Sequence, residues 1–202
     1  TIPANGLVVV NANDGGEGSL RQAITNANAF ASNDAISFAA SANGTITLAS
    51  ALPNIANNGT LSISGNGTAN TVISGNHADR VFYVNVAANL SLSGLALIDG
   101  VAPAGGLLGG AIRNEGTLTV TDCLLSGNTA LGNGGAIANF GTLSVATSTF
   151  DNNQTNLSGG GISNTSAGTL TVSASTFSNN TATGAYSMPG GGGIAQDRKR
   201  VV

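Results

Sequence analysis

The chain has 202 residues, enough for one domain with a hydrophobic core of its own. Charged residues make up 7%, aromatics 4% and hydrophobics 41%, which excludes the low-hydrophobicity, high-charge composition of a disordered chain. Net charge is −3, and Arg198, Lys199 and Arg200 are three of the six basic residues; Arg21, Arg80 and Arg113 alone face nine acids elsewhere, so no basic stripe exists to neutralise phosphates and a nucleic-acid partner is excluded.

The single cysteine, Cys123, rules out an intrachain disulfide. No apolar run reaches the length of a transmembrane helix. The chain opens at Thr1 without a signal-like segment, as a mature secreted chain or a trimmed one would.

Residues 1–40 read as an N-terminal cap. Within "GSLRQAITNANAF", Ser19 and Gln22 have capping-box spacing, and Leu20, Ile24 and Ala27 share one helical face, which predicts an amphipathic helix near 19–30. A solenoid needs its first rung covered, and such a helix does this. The preceding "NANDGGEG" is expected to be a turn; Asp14 and Glu17 would be the oxygen donors if it held Ca²⁺.

Residues 41–108 read as irregular rungs. "GTITLAS" from Gly44, "GTLSISG" from Gly59, "RVFYV" from Arg80 and "NLSLSGLALIDG" from Asn89 all carry short period-two strands. His77, in "GNHADR", has no Ser, Cys or second His at catalytic spacing and reads as a surface-loop residue.

Residues 109–197 repeat openly. Ile112, Ile137 and Ile162 are 25 residues apart, and Leu118, Leu143 and Leu170 follow at 25 and 27. "TLTVT" points Leu118 and Val120 one way and its threonines the other. Cys123 and Leu125 continue the alternation one residue out of phase, so a bend is predicted between Asp122 and Cys123. "GGAI" supplies a third strand, with the paired glycines at the corner. Three short strands and three bends per repeat describe one rung of a parallel β-helix. The fold class is therefore all-β: a right-handed parallel β-helix of roughly six rungs, on the order of 30 Å long at the rung spacing. Leu90, Leu118, Leu143 and Leu170 should form one inward ladder, and Leu97, Leu125, Phe150 and Phe177 another. Asn128, Asn153 and Asn180 recur just beyond them and predict a structural amide ladder. "PGGGGIAQ" from Pro189 starts a further rung, and 198–202 form a charged tail.

The "GGAI" runs at 109–112 and 134–137, followed by Phe-x-x-Asn at Phe150–Asn153 and Phe177–Asn180, resemble the repeats of bacterial polymorphic outer-membrane proteins. Leu125 replaces the usual Phe in the first repeat, and Gly161 replaces Ala in the third. The opening "VVVNANDGGEGSLRQAI" resembles the N-terminal module of CSLREA-type surface proteins, with Gly18 for Cys and Gln22 for Glu. The resemblance implies an extracellular or surface-displayed protein with adhesins as its better-known members.

Catalytic chemistry finds little support in the residues. Asp122 has Thr147 and Ala174 as counterparts, so no carboxylate ladder forms. Cys123 aligns with Ser148 and Ser175 as a small core residue. "GGGG" at 190–193 lacks the Lys-Ser/Thr ending of a phosphate loop, and no cofactor is implied. The outward ladder is the distinctive surface: Thr45 and Thr47, Ser62 and Ser64, Ser91 and Ser93, then Thr117, Thr119, Thr121, Thr142, Ser144, Thr169, Thr171 and Ser173. The expected protein is a non-enzymatic extracellular structural or adhesive β-helix, self-associating head to tail through an open C-terminal rung. The alternatives are a surface module binding glycan, host or ice through the hydroxyl face, and a polysaccharide-active enzyme.

Overall fold

A segment that alternates Thr with Leu or Val makes a strand with one dry face and one wet face, and here each such strand stacks on its counterpart one repeat away. The computed structural model describes residues 7–105, 107–183 and 191–196. The charged tail at 198–202 lies outside the described residues. All paired strands run parallel, and the chain winds as a β-solenoid of about six turns.

The first sheet has seven strands: Val8–Val9, Asp34–Phe38, Thr60–Ser64, Asn89–Ser93, Thr117–Thr121, Thr142–Ala146 and Thr169–Ser173. The second has six, from Gly44–Thr47 through Thr71–Ser74, Ala96–Ile98, Leu124–Ser126 and Thr149–Asp151 to Thr176–Ser178. The third has five, from Phe82–Val84 through Ile112–Asn114, Ile137–Asn139 and Ile162–Asn164 to Ile194–Gln196. A fourth, narrow sheet joins Thr129–Ala130, Gln154–Thr155 and Thr181–Ala182. Its two-residue strands are too short to announce themselves by period. After Phe82–Val84, the third-sheet strands begin at the Ile that ends each "GGAI" or "GGGI", so the glycines form the corner and not the strand.

The predicted ladders meet in register. Leu90, Leu118, Leu143 and Leu170 pair in sequence, as do Leu97, Leu125, Phe150 and Phe177. Phe150 and Phe177 stack with ring centroids 4.7 Å apart. Each buried Leu, Ile or Phe contributes roughly 1.5–3 kcal/mol. The bend after the first sheet is set by backbone handedness: Asp122, Thr147 and Ala174 all have φ between +46° and +52°. At the other corner Gly134 has φ +73°, and a side chain there would fall against the Ile137 carbonyl.

The helix runs Leu20–Asn28, with Ser19 as its N-cap accepting from Gln22 N at 3.2 Å. Leu20, Ala23, Ile24 and Ala27 are buried on the first rung. Only half of the expected capping box forms. The Gln22 side chain donates to Asn26 Oδ1 instead of reaching back, and the Ser19 N–H bonds Gly16 O. One strand placement is corrected: Thr45 and Thr47 lie on the second sheet. The first-sheet position before Ser62 and Ser64 belongs to Ala35 and Ser37.

Candidate functional site

The outward side of the first sheet is a plane of small side chains. Its central column reads Ala35, Ser62, Ser91, Thr119, Ser144, Thr171, and its flanking columns place Thr117, Thr142 and Thr169 on one side and Thr121, Ala146 and Ser173 on the other. Thr117, Thr142, Ser144, Thr169, Thr171 and Ser173 are exposed; Thr119 and Thr121 are partly so. None of these columns carries a charge. Rungs are ~4.8 Å apart and alternate residues along a strand ~6.6 Å, so the hydroxyls form a regular grid.

Under the corners run two amide ladders. Asn128 Nδ2 donates to Asn153 Oδ1 at 2.9 Å, and Asn153 Nδ2 to Asn180 Oδ1 at 2.8 Å. The same oxygens accept the backbone N–H of Asn128 and Asn153, while Asn128 Oδ1 takes the N–H of Gly100. Each amide also donates inward, to Leu97 O, Leu125 O and Phe150 O respectively. Asn128 and Asn153 are fully buried, so each bond replaces water that cannot reach the site. The second ladder joins Asn114, Asn139, Asn164 and Gln196, each Nδ2 donating to the next amide oxygen. Sequence reasoning missed this one. Its signal is the same spacing of 25, in "IRN", "IAN" and "ISN".

The remaining candidates for chemistry are engaged or isolated. Arg21 binds Asp14 at 2.6 Å and the carbonyls of Ser50 and Ala51, so Arg21 anchors the cap to the next rung and Asp14 is engaged by it. Asp122 accepts from Thr147 Oγ1 at 2.6 Å. Beside it lies a shallow groove of roughly 400 Å³ lined by Thr68, Asp122, Cys123, Leu124, Thr147 and Thr149. Burial pushes the Cys123 thiol up to about 11, so at neutral pH it is not the thiolate a nucleophile requires. Its backbone N–H donates to Ser148 Oγ, and Ser148 N to Ser175 Oγ, continuing the ladder logic at a third corner. His77 is on the surface with Nε2 3.8 Å from Asp99. Among the described residues no group of three or more His, Cys, Asp or Glu is placed to hold a metal, and no helix is long and apolar enough to cross a membrane.

Two segments, residues 122–139 and 147–165, match the Chlamydia polymorphic membrane protein repeat. They occupy successive turns, each running from the left-handed corner after the first sheet through the second-sheet strand and the glycine pair to the third-sheet strand and its buried Asn. No curated protein and no solved structure matches the chain. The matched segments thus lie on two turns of a parallel β-solenoid and are similar to that repeat.

Proposed function

We propose that this chain is a non-enzymatic, surface-displayed β-solenoid that serves as structural or adhesive material outside the cell. The observation that carries the reading is the match of two consecutive turns to the polymorphic membrane protein repeat, on a solenoid whose broadest face is uncharged hydroxyl. At the C-terminal end of the described solenoid, Thr169–Ser173, Thr176–Ser178, Thr181–Ala182 and Ile194–Gln196 are each last in their sheets. Leu170, Val172 and Phe177 are only partly buried there, and Ile194 is 36% exposed. Such edges are templates for pairing, and docking of the next copy's cap would propagate as an open head-to-tail filament. Electron microscopy and sedimentation over a concentration series test this. Concentration-dependent filaments that Ile194→Lys shortens are expected; monodisperse short rods at every concentration would overturn self-association.

The second reading is a binding module using the hydroxyl grid, supported by its flatness and exposure. Thr119→Lys combined with Thr171→Lys should then abolish binding to whole cells, glycan or ice while the melting temperature holds. Polysaccharide cleavage is the third reading, and the ties of Asp14 to Arg21 and Glu115 to Arg113 favour the non-enzymatic one. Reducing-sugar release from a polysaccharide panel would reverse that preference.

A further inference from the structure

The helix that covers the first rung is fastened at its C-terminal end by side-chain amides. Asn28 reaches the following turn, its Nδ2 donating to Asn54 O at 2.8 Å and its Oδ1 accepting from Ala56 N at 3.1 Å. Asn58 reaches back from that turn. Its Nδ2 shares two N–H groups among three carbonyls at or just past the helix end: Ala27 O at 3.2 Å, Asn28 O at 2.9 Å and Phe30 O at 3.0 Å. The last turn of a helix has no donors of its own for such carbonyls. The negative end of the helix dipole lies there, so the position suits a donor and disfavours an anion. Asn58 is half-buried, and its Oδ1 accepts no hydrogen bond from the described residues and is open to water.

The residue after Asn58 has to be glycine. Gly59 has φ +130°, and a side chain there would fall onto the Ser32 carbonyl. An Asn before Gly is chemically exposed, because no side chain hinders attack of the next backbone nitrogen on the Asn amide. Four such pairs lie among the described residues, at 43–44, 58–59, 66–67 and 133–134. In three of them the attacking nitrogen is engaged: Gly44 N donates to Asn70 O at 2.7 Å, Gly67 N to Gly94 O at 3.1 Å and Gly134 N to Ser158 O at 2.9 Å. Gly59 N, one residue ahead of the strand Thr60–Ser64, donates to no described group. The bonds that stack the turns therefore hold three of the four nitrogens and leave the one beside the cap.

We infer that Asn58 is a site of spontaneous deamidation whose product loosens the N-terminal cap. Gly59 N gives up its proton to solvent base and bonds to Asn58 Cγ. The Cγ–Nδ2 bond breaks, and Nδ2 leaves as ammonia with a proton from water. Water then adds to either carbonyl of the five-membered imide, and the ring opens to aspartate or, with the backbone rerouted through Cγ, to isoaspartate. Nothing is oxidised or reduced, and water is the only co-reactant. In both products the N–H groups that served Ala27, Asn28 and Phe30 are gone, and a carboxylate stands at the negative end of the helix. Asn28 still ties the helix to Asn54 and Ala56, so the cap loosens while the turns behind it keep their ladders. The change runs one way, and it is independent of what the outer faces bind.

Prolonged incubation of the full chain at mildly alkaline pH tests it, with sites assigned by fragment mass spectrometry and isoaspartate by enzymatic methyl transfer. In native buffer Asn58 should deamidate several-fold faster than Asn43, Asn66 or Asn133. In concentrated urea, where the bonds to Gly44, Gly67 and Gly134 are gone, the four rates should converge. The deamidated fraction, separated by its added negative charge, should exchange amide hydrogens faster over 20–28 than the fresh protein and at the same rate over 137–164. Asn58→Asp should reproduce that pattern, and Asn58→Ala, which removes the donors without adding a charge, should loosen the helix less. The aged wild type carries the test even if Asn58→Asp folds poorly. An Asn58 that deamidates no faster than the other three in the folded chain, or fresh-protein exchange over 20–28 in the deamidated fraction, would overturn the inference.

Discussion

Asn153 shows how much one side chain can carry. Its oxygen accepts two N–H groups of Asn128, its amide donates to both Asn180 and Leu125 O, and Asn128 and Asn153 are closed to water. Asn153→Ala leaves at least two buried donors unpaired and should cost about 2–5 kcal/mol in a urea titration, at roughly 1–3 kcal/mol per orphan. Asn180→Ala, at the partly buried end, should cost less. The position was readable because Asn follows a conspicuous Phe or Leu at fixed distance. Asn114, Asn139 and Asn164 were harder to see: they sit behind variable residues, and their bonds form only once three turns are stacked. Asp151 adds a pH effect. Hydrogen bonds from Ser178, Asn179 and Asn152 hold its carboxyl below the usual range. A depressed carboxyl stabilises the fold above its unfolded pKa and loses that contribution as pH falls through the folded value. Urea midpoints measured from pH 5 to pH 2 should therefore drop more steeply for the wild type than for Asp151→Asn, by a small margin because the group faces solvent.

At the scale of the element, alternation and glycine do most of the specifying. "TLTVT" states its own buried face, and the slip of phase at Cys123 foretells the left-handed corner seen at Asp122, Thr147 and Ala174. Gly134 is required twice over, by its positive φ and by the nearness of the Ile137 carbonyl. Gly134→Ala should lower the urea midpoint far more than Gly105→Ala, where an added methyl meets open space. Where the repeat is irregular the reading weakened. "GTITLAS" alternates as well as "GTLSISG", yet one lies on the second sheet and the other on the first. Alternation reports that a segment is a strand; only repeat length reports which sheet it joins, and residues 41–108 keep no constant length. The two-residue strands of the fourth sheet have no period to read at all. The contacts of Arg113 with the Tyr83 and Phe140 rings were equally hidden, since the two rings lie 57 residues apart and meet only across the intervening turn that carries Arg113.

At the scale of the whole described solenoid, its first and last turns differ. One is closed by the apolar face of Leu20–Asn28, and the other, among the described residues, presents the last strand of every sheet. The ladders between them share one polarity, every bond from one side-chain amide to the next being donated toward the C-terminal side. Excision of residues 134–158 tests how far this order is local. It removes one turn, brings Asn128 opposite Asn180 and Leu125 opposite Phe177, and should yield a folded, shorter rod with a cooperative melt; a collapsed or aggregated product would show that the turns are not interchangeable. The amide ladders thus act as a ruler on the gene. A one-residue insertion inside a strand puts every downstream amide out of step, whereas Ser166 and Ala167 lengthen the third repeat where no ladder passes. Such a chain can change its reach over generations only in whole turns, by duplication or loss of about 25 codons, while its outward side chains vary freely on a length that is counted.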